Sequence, residues 1–244
     1  MTGPTLRYFD CRSRGEALRF ALADSGIEFR DERPSVETFL KLRAEPKSFA
    51  KVAPFSTLPV LEWNGYVIAE TLAIASYLGE RLGHAPYVGD LETRGLHNMI
   101  VSAAHLGMQT PYSQFFRQPL DQPDSAFRDA AQSFLDSQAK KASQLERLCS
   151  DLEVETYFGG AAPAMSDFFV YESLDRAETC FGENFTRVLG QLPRLQALKT
   201  ALDERTSISA YRAAGKISER VTLSQIEPEL QARLSELEPE LSTQ

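Results

Sequence analysis

The rhythm of apolar and polar positions changes about a third of the way along the chain. Up to residue 82, short strand-like runs are interleaved with helical ones. Beyond about 91 the period is helical almost throughout. "TLRYFD" predicts a short strand, and "RGEALRFALADSG" a helix with Ala17, Leu18, Phe20, Ala21 and Leu22 inward and Gly26 as its stop. "IEFRDER" reads as a second strand and "SVETFLKLRA" as a short helix capped by Ser35. "LPVLEWNGYVIAE" is a hairpin turning at Asn64-Gly65, and "ETLAIASYLGERLG" a helix ended by Gly83. The predicted order is β-α-β-α-β-β-α.

In the second part, "LETRGLHNMIVSAAHLGMQTPYSQFF" is helical with a kink expected at Pro111. The segment "DSAFRDAAQSFLDSQAKKASQLERLC" carries one apolar stripe through Phe127, Ala131, Phe134, Ala142 and Leu145. "SDFFVYESLDRAETC" is apolar on nearly every side and predicts a buried central helix. Two shorter helices follow. These patterns divide the chain into residues 1–83, a linker at 84–92, a helical domain at 93–216 and an extension at 217–244. Leu230, Leu234, Leu237 and Leu241 lie among acids in that extension, which reads as an amphipathic helix or a partly ordered tail.

Charge narrows the possible partners. A net charge of −8 without a basic cluster argues against nucleic acid. No apolar run has the length of a signal peptide or a membrane span, so a cytoplasmic protein with no membrane partner is expected. Cys11, Cys149 and Cys180 are odd in number and far apart, and His84, His97 and His105 lack ligand spacing. Neither a disulfide framework nor a metal is expected.

Candidate chemistry concentrates in "YFDCRSRGEALRFAL", residues 8–22. Tyr8 ends a strand before a helix that opens near Arg14, so its phenol can donate to an anion such as a thiolate, helped by Arg14 and the helix dipole. Cys11 is the rival nucleophile, and Ser13 is either a second donor or the helix cap. Farther on, a cis Leu58-Pro59 bond would turn the Leu58 backbone outward to pair with an extended peptide. Glu70-Thr71 opens a helix directly after a strand, suiting the ammonium and carboxylate of an α-amino-acid head.

Together these stretches resemble the soluble glutathione S-transferases of the tyrosine type (alpha, mu, pi and sigma). The resemblance rests on "LRYFDCRSRGEALRFALADSGIEF" and "TLPVLEWNGYVIAETLAIASYLGERLG" and extends to Asp167 at the start of the central helix. It implies a thioredoxin-like α/β domain followed by an all-α domain, in a homodimeric detoxification enzyme. Glutathione would be the co-substrate, attacking a hydrophobic electrophile, or serving a related isomerase or peroxidase reaction; a non-catalytic homologue is the remaining alternative. By resemblance Tyr8 activates the thiol and Arg14 assists. Thr57, Leu58 and Pro59 border the cysteinyl unit, and Glu70 and Thr71 hold the γ-glutamyl head. Lys51, with Lys47 and Arg43 behind it, meets the glycine carboxylate. Phe9, Met108, Tyr112, Phe116 and Tyr211 would line the electrophile pocket.

Four departures stand out. Thr57 occupies a position where many members have Gln, and Ala164 replaces the usual cap ahead of Asp167. His105 or Leu106 stands where several classes supply an acid across the dimer, and residues 217–244 run past the usual end.

Overall fold

The computed structural model describes residues 3–44 and 53–241. Strand β1 (Thr5–Arg7) leads through the 8–15 turn into α1 (Glu16–Asp24), which stops where Gly26 takes φ 69°. Next come β2 (Arg30–Glu32) and α2 (Val36–Arg43), whose Ser35 hydroxyl accepts the Thr38 N–H at 3.1 Å. The hairpin pairs β3 (Val60–Trp63) with β4 (Tyr66–Ala69) across Asn64 and Gly65, both at positive φ. The sheet order is β2-β1-β3-β4, with β1 parallel to β2 and antiparallel to β3. Leu6 sits opposite Leu61, and both are buried. Helix α3 (Thr71–Arg81) closes this half of the molecule.

The stretch read as a linker contains one helical turn, α4 (Ala85–Val88), with Tyr87 fully buried. The next helix, α5 (Leu91–Ala104), begins inside that stretch because the Asp90 carboxylate caps Thr93 N–H at 2.7 Å. A π-helical turn, His105–Gln109, follows; Thr110 N–H closes it on the His105 carbonyl at 2.9 Å. After Pro111 the chain resumes as α6 (Tyr112–Phe115), and the break therefore falls one turn earlier than the proline alone predicts.

Helix α7 (Asp124–Asp151) buries Phe127, Ala131, Ala142 and Leu145 as the stripe predicts, with Leu135 deeper than Phe134. The central α8 (Met165–Phe181) buries nearly every residue. Its cap is the Asp167 carboxylate, which accepts N–H groups from Phe158 (2.7 Å), Gly159 (3.1 Å) and Ala164 (2.8 Å). Ala164 has no side-chain donor or acceptor to cap with, so the Asp167 carboxylate supplies the side-chain tie between the preceding loop and the helix.

Helices α9 (Glu183–Leu189), α10 (Pro193–Asp203) and α11 (Thr206–Ala213) pack around α8. The extension is ordered over its described length: α12 (Glu227–Leu237) lies against α8 and buries Leu230, Leu234 and Leu237. Helix α1 also packs on α8, so the turn between β1 and α1 sits at the seam of the two halves.

Candidate functional site

The turn after β1 is short, and its backbone is held from three sides. Arg19, buried on α1, donates to the carbonyls of Tyr8 (3.3 Å), Phe9 (3.0 Å) and Cys11 (3.1 Å). From α8, Arg176 donates to the Ser13 carbonyl at 2.7 Å. From the extension, the carbonyls of Arg220 and Val221 accept the N–H groups of Arg12 (2.8 Å) and Ser13 (3.0 Å). So clamped, Ser13 sits at φ 21°, a sparsely populated conformation for a residue with a side chain.

The clamp places Tyr8. Its phenolic oxygen accepts the Arg14 N–H at 3.2 Å, which leaves the phenol's own proton available for donation. Burial pushes the phenol up to about 12, with the neighbouring Cys11 adding to the rise against contacts from Ser13 and the Arg14 amide. Tyr8 therefore stays protonated across the physiological range. Burial likewise pushes the Cys11 thiol up to about 11, which removes it as a nucleophile at neutral pH. Ser13 is not the helix cap: α1 starts three residues later, after Gly15, with no side-chain cap at all.

Gly15 carries a constraint on Tyr8 that residue type alone did not reveal. Its backbone lies at φ −109°, which any residue adopts, but a Cβ there would stand 2.4 Å from Tyr8 Cδ1. The signal is steric and exists only once the turn is folded. Gly15→Ala is expected to displace the phenol and lower kcat/KM by about tenfold or more, because catalytic geometry tolerates little misplacement. Steady-state kinetics beside a melting curve check this: an unchanged kcat/KM in a folded variant contradicts it.

Tyr8, Phe9, Ser13, Arg14 and Leu58 form one wall of a cavity of about 640 Å³. Facing them are Thr110, Pro111, Ser113, Gln114 and Arg117 from the π turn onward. Thr222, Leu223 and Ser224 of the extension complete the lining. Leu58-Pro59 is cis, and no hydrogen bond engages the Leu58 backbone among the described residues. Beside it, Thr57 donates to Glu70 Oε1 at 3.3 Å, so the Thr in place of Gln holds the acid directly. Glu70 stands at φ 71°, and α3 starts there with no side-chain cap, leaving first-turn N–H groups for an anion. Thr71 is buried at that start. Arg43 is exposed at the end of α2, while Lys47 and Lys51 lie outside the described residues.

Four of the five pocket residues expected from sequence are elsewhere. Met108, Tyr112 and Phe116 are fully buried in the core and do not line the cavity. The π turn and Pro111 break the helical phase here, and after the π turn Thr110, Ser113 and Arg117 line the cavity while Tyr112 and Phe116 are buried. Arg176 stacks over the Tyr112 ring at 5.4 Å. Tyr211 lies behind α1, where its hydroxyl donates to Glu16 at 3.2 Å. Of the five, only Phe9 is among the described residues that line this cavity. His105 is buried against Gln109, leaving Leu106 as the exposed member of that pair. Among the described residues no group of His, Cys, Asp or Glu could hold a metal, and no helix is long and apolar enough to cross a membrane.

Comparison with known proteins agrees with this architecture. The profile for "Glutathione S-transferase, N-terminal domain" matches residues 4–80, and that for "Glutathione S-transferase, C-terminal domain" matches residues 108–215. Glutathione S-transferase alpha-4 of Rattus norvegicus is 26% identical over 214 residues, 87% of this chain and 89% of the relative. Hematopoietic prostaglandin D synthase of Gallus gallus is 25% identical over 84% of this chain and 93% of its own. The Pi-class glutathione S-transferase of Onchocerca volvulus shares the fold, with a TM-score of 0.71 at 18% identity, covering 88% of this chain and 96% of that one. With both domain profiles matched in order on a thioredoxin-like sheet and a helical second half, the chain belongs to the glutathione S-transferase family.

Proposed function

We propose that this chain is a glutathione transferase: it holds the glutathione thiol as a thiolate at Tyr8 and delivers it to an electrophile in the adjoining cavity. The observation that carries this reading is a phenol kept protonated by burial, braced by the Arg14 amide, on the wall of that cavity. A phenol donor and the exposed Arg14 guanidinium both favour a sulfur anion over a neutral thiol. Lowering a thiol by about two units from 8.5 takes about 2.7 kcal/mol, within reach of one charge-assisted hydrogen bond plus a nearby cation.

In this reading Leu58 pairs its backbone with the cysteinyl unit, next to Pro59. Glu70 accepts the γ-glutamyl ammonium while Thr71 and the α3 amides accept its carboxylate, and Thr57 orients Glu70. Lys51 remains the proposed partner of the glycine carboxylate. The thiolate attacks the electrophilic carbon, the C–S bond forms, and the leaving group departs with its electron pair. Tyr8 donates a hydrogen bond throughout and never loses its proton, so catalysis comes from positioning and electrostatics. Phe9, Pro111 and Leu223 offer the electrophile an apolar face.

A homodimer is part of the proposal: Met99 and Leu106, seven apart on one helical face, are more than half exposed. A reducing compartment such as the cytoplasm suits both glutathione and three buried free cysteines. The test is glutathione-dependent turnover of 1-chloro-2,4-dinitrobenzene, run beside an organic hydroperoxide and a β,γ-unsaturated ketone. Conjugation is expected to dominate. Peroxide reduction or isomerisation without conjugation moves the same thiolate to the alternative chemistry, and no turnover on any of them defeats the enzymatic reading.

A further inference from the structure

The charges on the cavity do not balance, unlike those elsewhere at the seam. The buried guanidinium groups there meet carboxylates: Arg12 meets Glu172 and Asp175, Arg19 meets Glu16 and Asp31, and Arg176 meets Glu172. Arg14 and Arg117 both line the cavity, both exposed, and neither has a hydrogen-bond or ion-pair partner for its guanidinium among the described residues. Among the described residues no Asp or Glu lines the cavity. In a chain with a net charge of −8 this is a local reversal of sign.

Part of the lining comes from outside the matched family domains. Thr222, Leu223 and Ser224 lie beyond residue 215, where the matched C-terminal family domain ends. They are fixed by the buried Glu227 carboxylate, which accepts the N–H groups of Val221 (2.6 Å) and Thr222 (2.7 Å) and the Thr222 hydroxyl (2.7 Å). The Ser224 carbonyl accepts from Arg220 at 2.9 Å, which braces the segment from within. This braced segment and Arg117 line the same pocket.

We infer that the second substrate is an electrophile carrying an anionic group, a carboxylate in the simplest case, paired with Arg117 while its reactive carbon lies over Tyr8 and Arg14. The inference rests on the proposed glutathione chemistry. Arg14 is occupied by the thiolate, which leaves Arg117 as the cation without a counter-charge. A neutral aromatic would leave it so, whereas a carboxylate forms a charge-assisted, bidentate pair. With 4-chloro-3-nitrobenzoate the step is balanced without a further reactant: C–S forms, C–Cl breaks, and chloride leaves.

The test uses the full chain and two matched pairs. Calorimetry compares S-(4-carboxybenzyl)glutathione with S-(4-carbamoylbenzyl)glutathione, so the charges of glutathione cancel. Kinetics compare 4-chloro-3-nitrobenzoate with its amide, each normalised to its uncatalysed rate. Wild type is expected to prefer the carboxylate about tenfold in both, less so in 0.5 M salt. In Arg117→Gln the preference should fall to within about twofold, and Arg117→Lys should restore part of it. Equal affinity for acid and amide in wild type, or a preference that survives in Arg117→Gln, overturns the inference. Turnover without charge preference defeats this inference alone. Charge-selective binding without turnover supports it and defeats the catalytic reading instead.

Discussion

Tyr8→Phe is expected to lower kcat/KM by between about tenfold and a hundredfold, mostly in kcat, with little change in KM for glutathione. A hydrogen bond to a charged acceptor contributes about 1.5–3 kcal/mol, which sets that range. The ring is retained, so its edge contact with Phe9 at 5.6 Å and its fit against Gly15 remain. The proposed contacts to the two ends of glutathione are untouched, which is why KM should hold. The pH profile carries a further signature. Because burial holds the Tyr8 phenol near 12, the donor is present at every pH below that, and the alkaline limb of kcat/KM should stay flat up to about pH 10. A fall near pH 9 in a protein that remains folded would mean that the phenol ionises more easily than its burial implies.

The second large effect is on stability. Arg12→Met is expected to cost about 3 kcal/mol, seen as a lower urea midpoint, because it leaves buried carboxylates short of a partner. Arg12 is buried and donates to Glu172 at 3.1 Å, Thr179 at 3.1 Å and Asp175 at 2.6 Å. Glu172 keeps Arg176 and Asp175 keeps Arg212, which is why the loss is not larger. Burial works against the Asp175 carboxylate, but Arg12, Arg212 and Lys199 outweigh it and hold the group below its ordinary value. A carboxyl depressed on folding contributes stability above its unfolded value, about pH 4, and loses it as the pH falls further. The gap between wild type and Arg12→Met should therefore narrow below about pH 4. The Arg12 side chain also anchors the Tyr8 turn to α8 through its bonds to Glu172, Thr179 and Asp175, so residual activity in the folded variant should be reduced as well. Arg12→Lys keeps the charge without the planar fork and should fall between the two.

Local chemistry was the legible part of this protein. The Ser35 cap, the Gly26 stop and the Asn64-Gly65 turn each follow from a few neighbouring residues, and each appears where those residues place it. Tyr8, Arg14 and Leu58 could be grouped because their motifs are compact, and the fold brings them to one wall. What stayed hidden depends on distance or on a broken period. The ion pair of Arg12 with Glu172 joins positions 160 apart, and nothing local in "SDFFVYESLDRAETC" announces charged groups buried against another element. Met108, Tyr112 and Phe116 lie in and beyond a π turn that interrupts the 3.6-residue period, and all three are buried away from the cavity. The extension reads from its leucines only as an amphipathic helix or a partly ordered tail, because its contact with the Tyr8 turn rests on backbone carbonyls meeting the Arg12 and Ser13 amides, which side-chain patterns do not encode.

The most direct measurement is the ultraviolet difference spectrum of glutathione bound to the wild-type chain, titrated against pH. The expected result is a thiolate band that titrates about two units below free glutathione and moves back toward the free value in Tyr8→Phe. A bound thiol that titrates with the free one in wild type, or a shift that Tyr8→Phe leaves intact, would contradict the assignment of Tyr8 as the group that holds the sulfur anion.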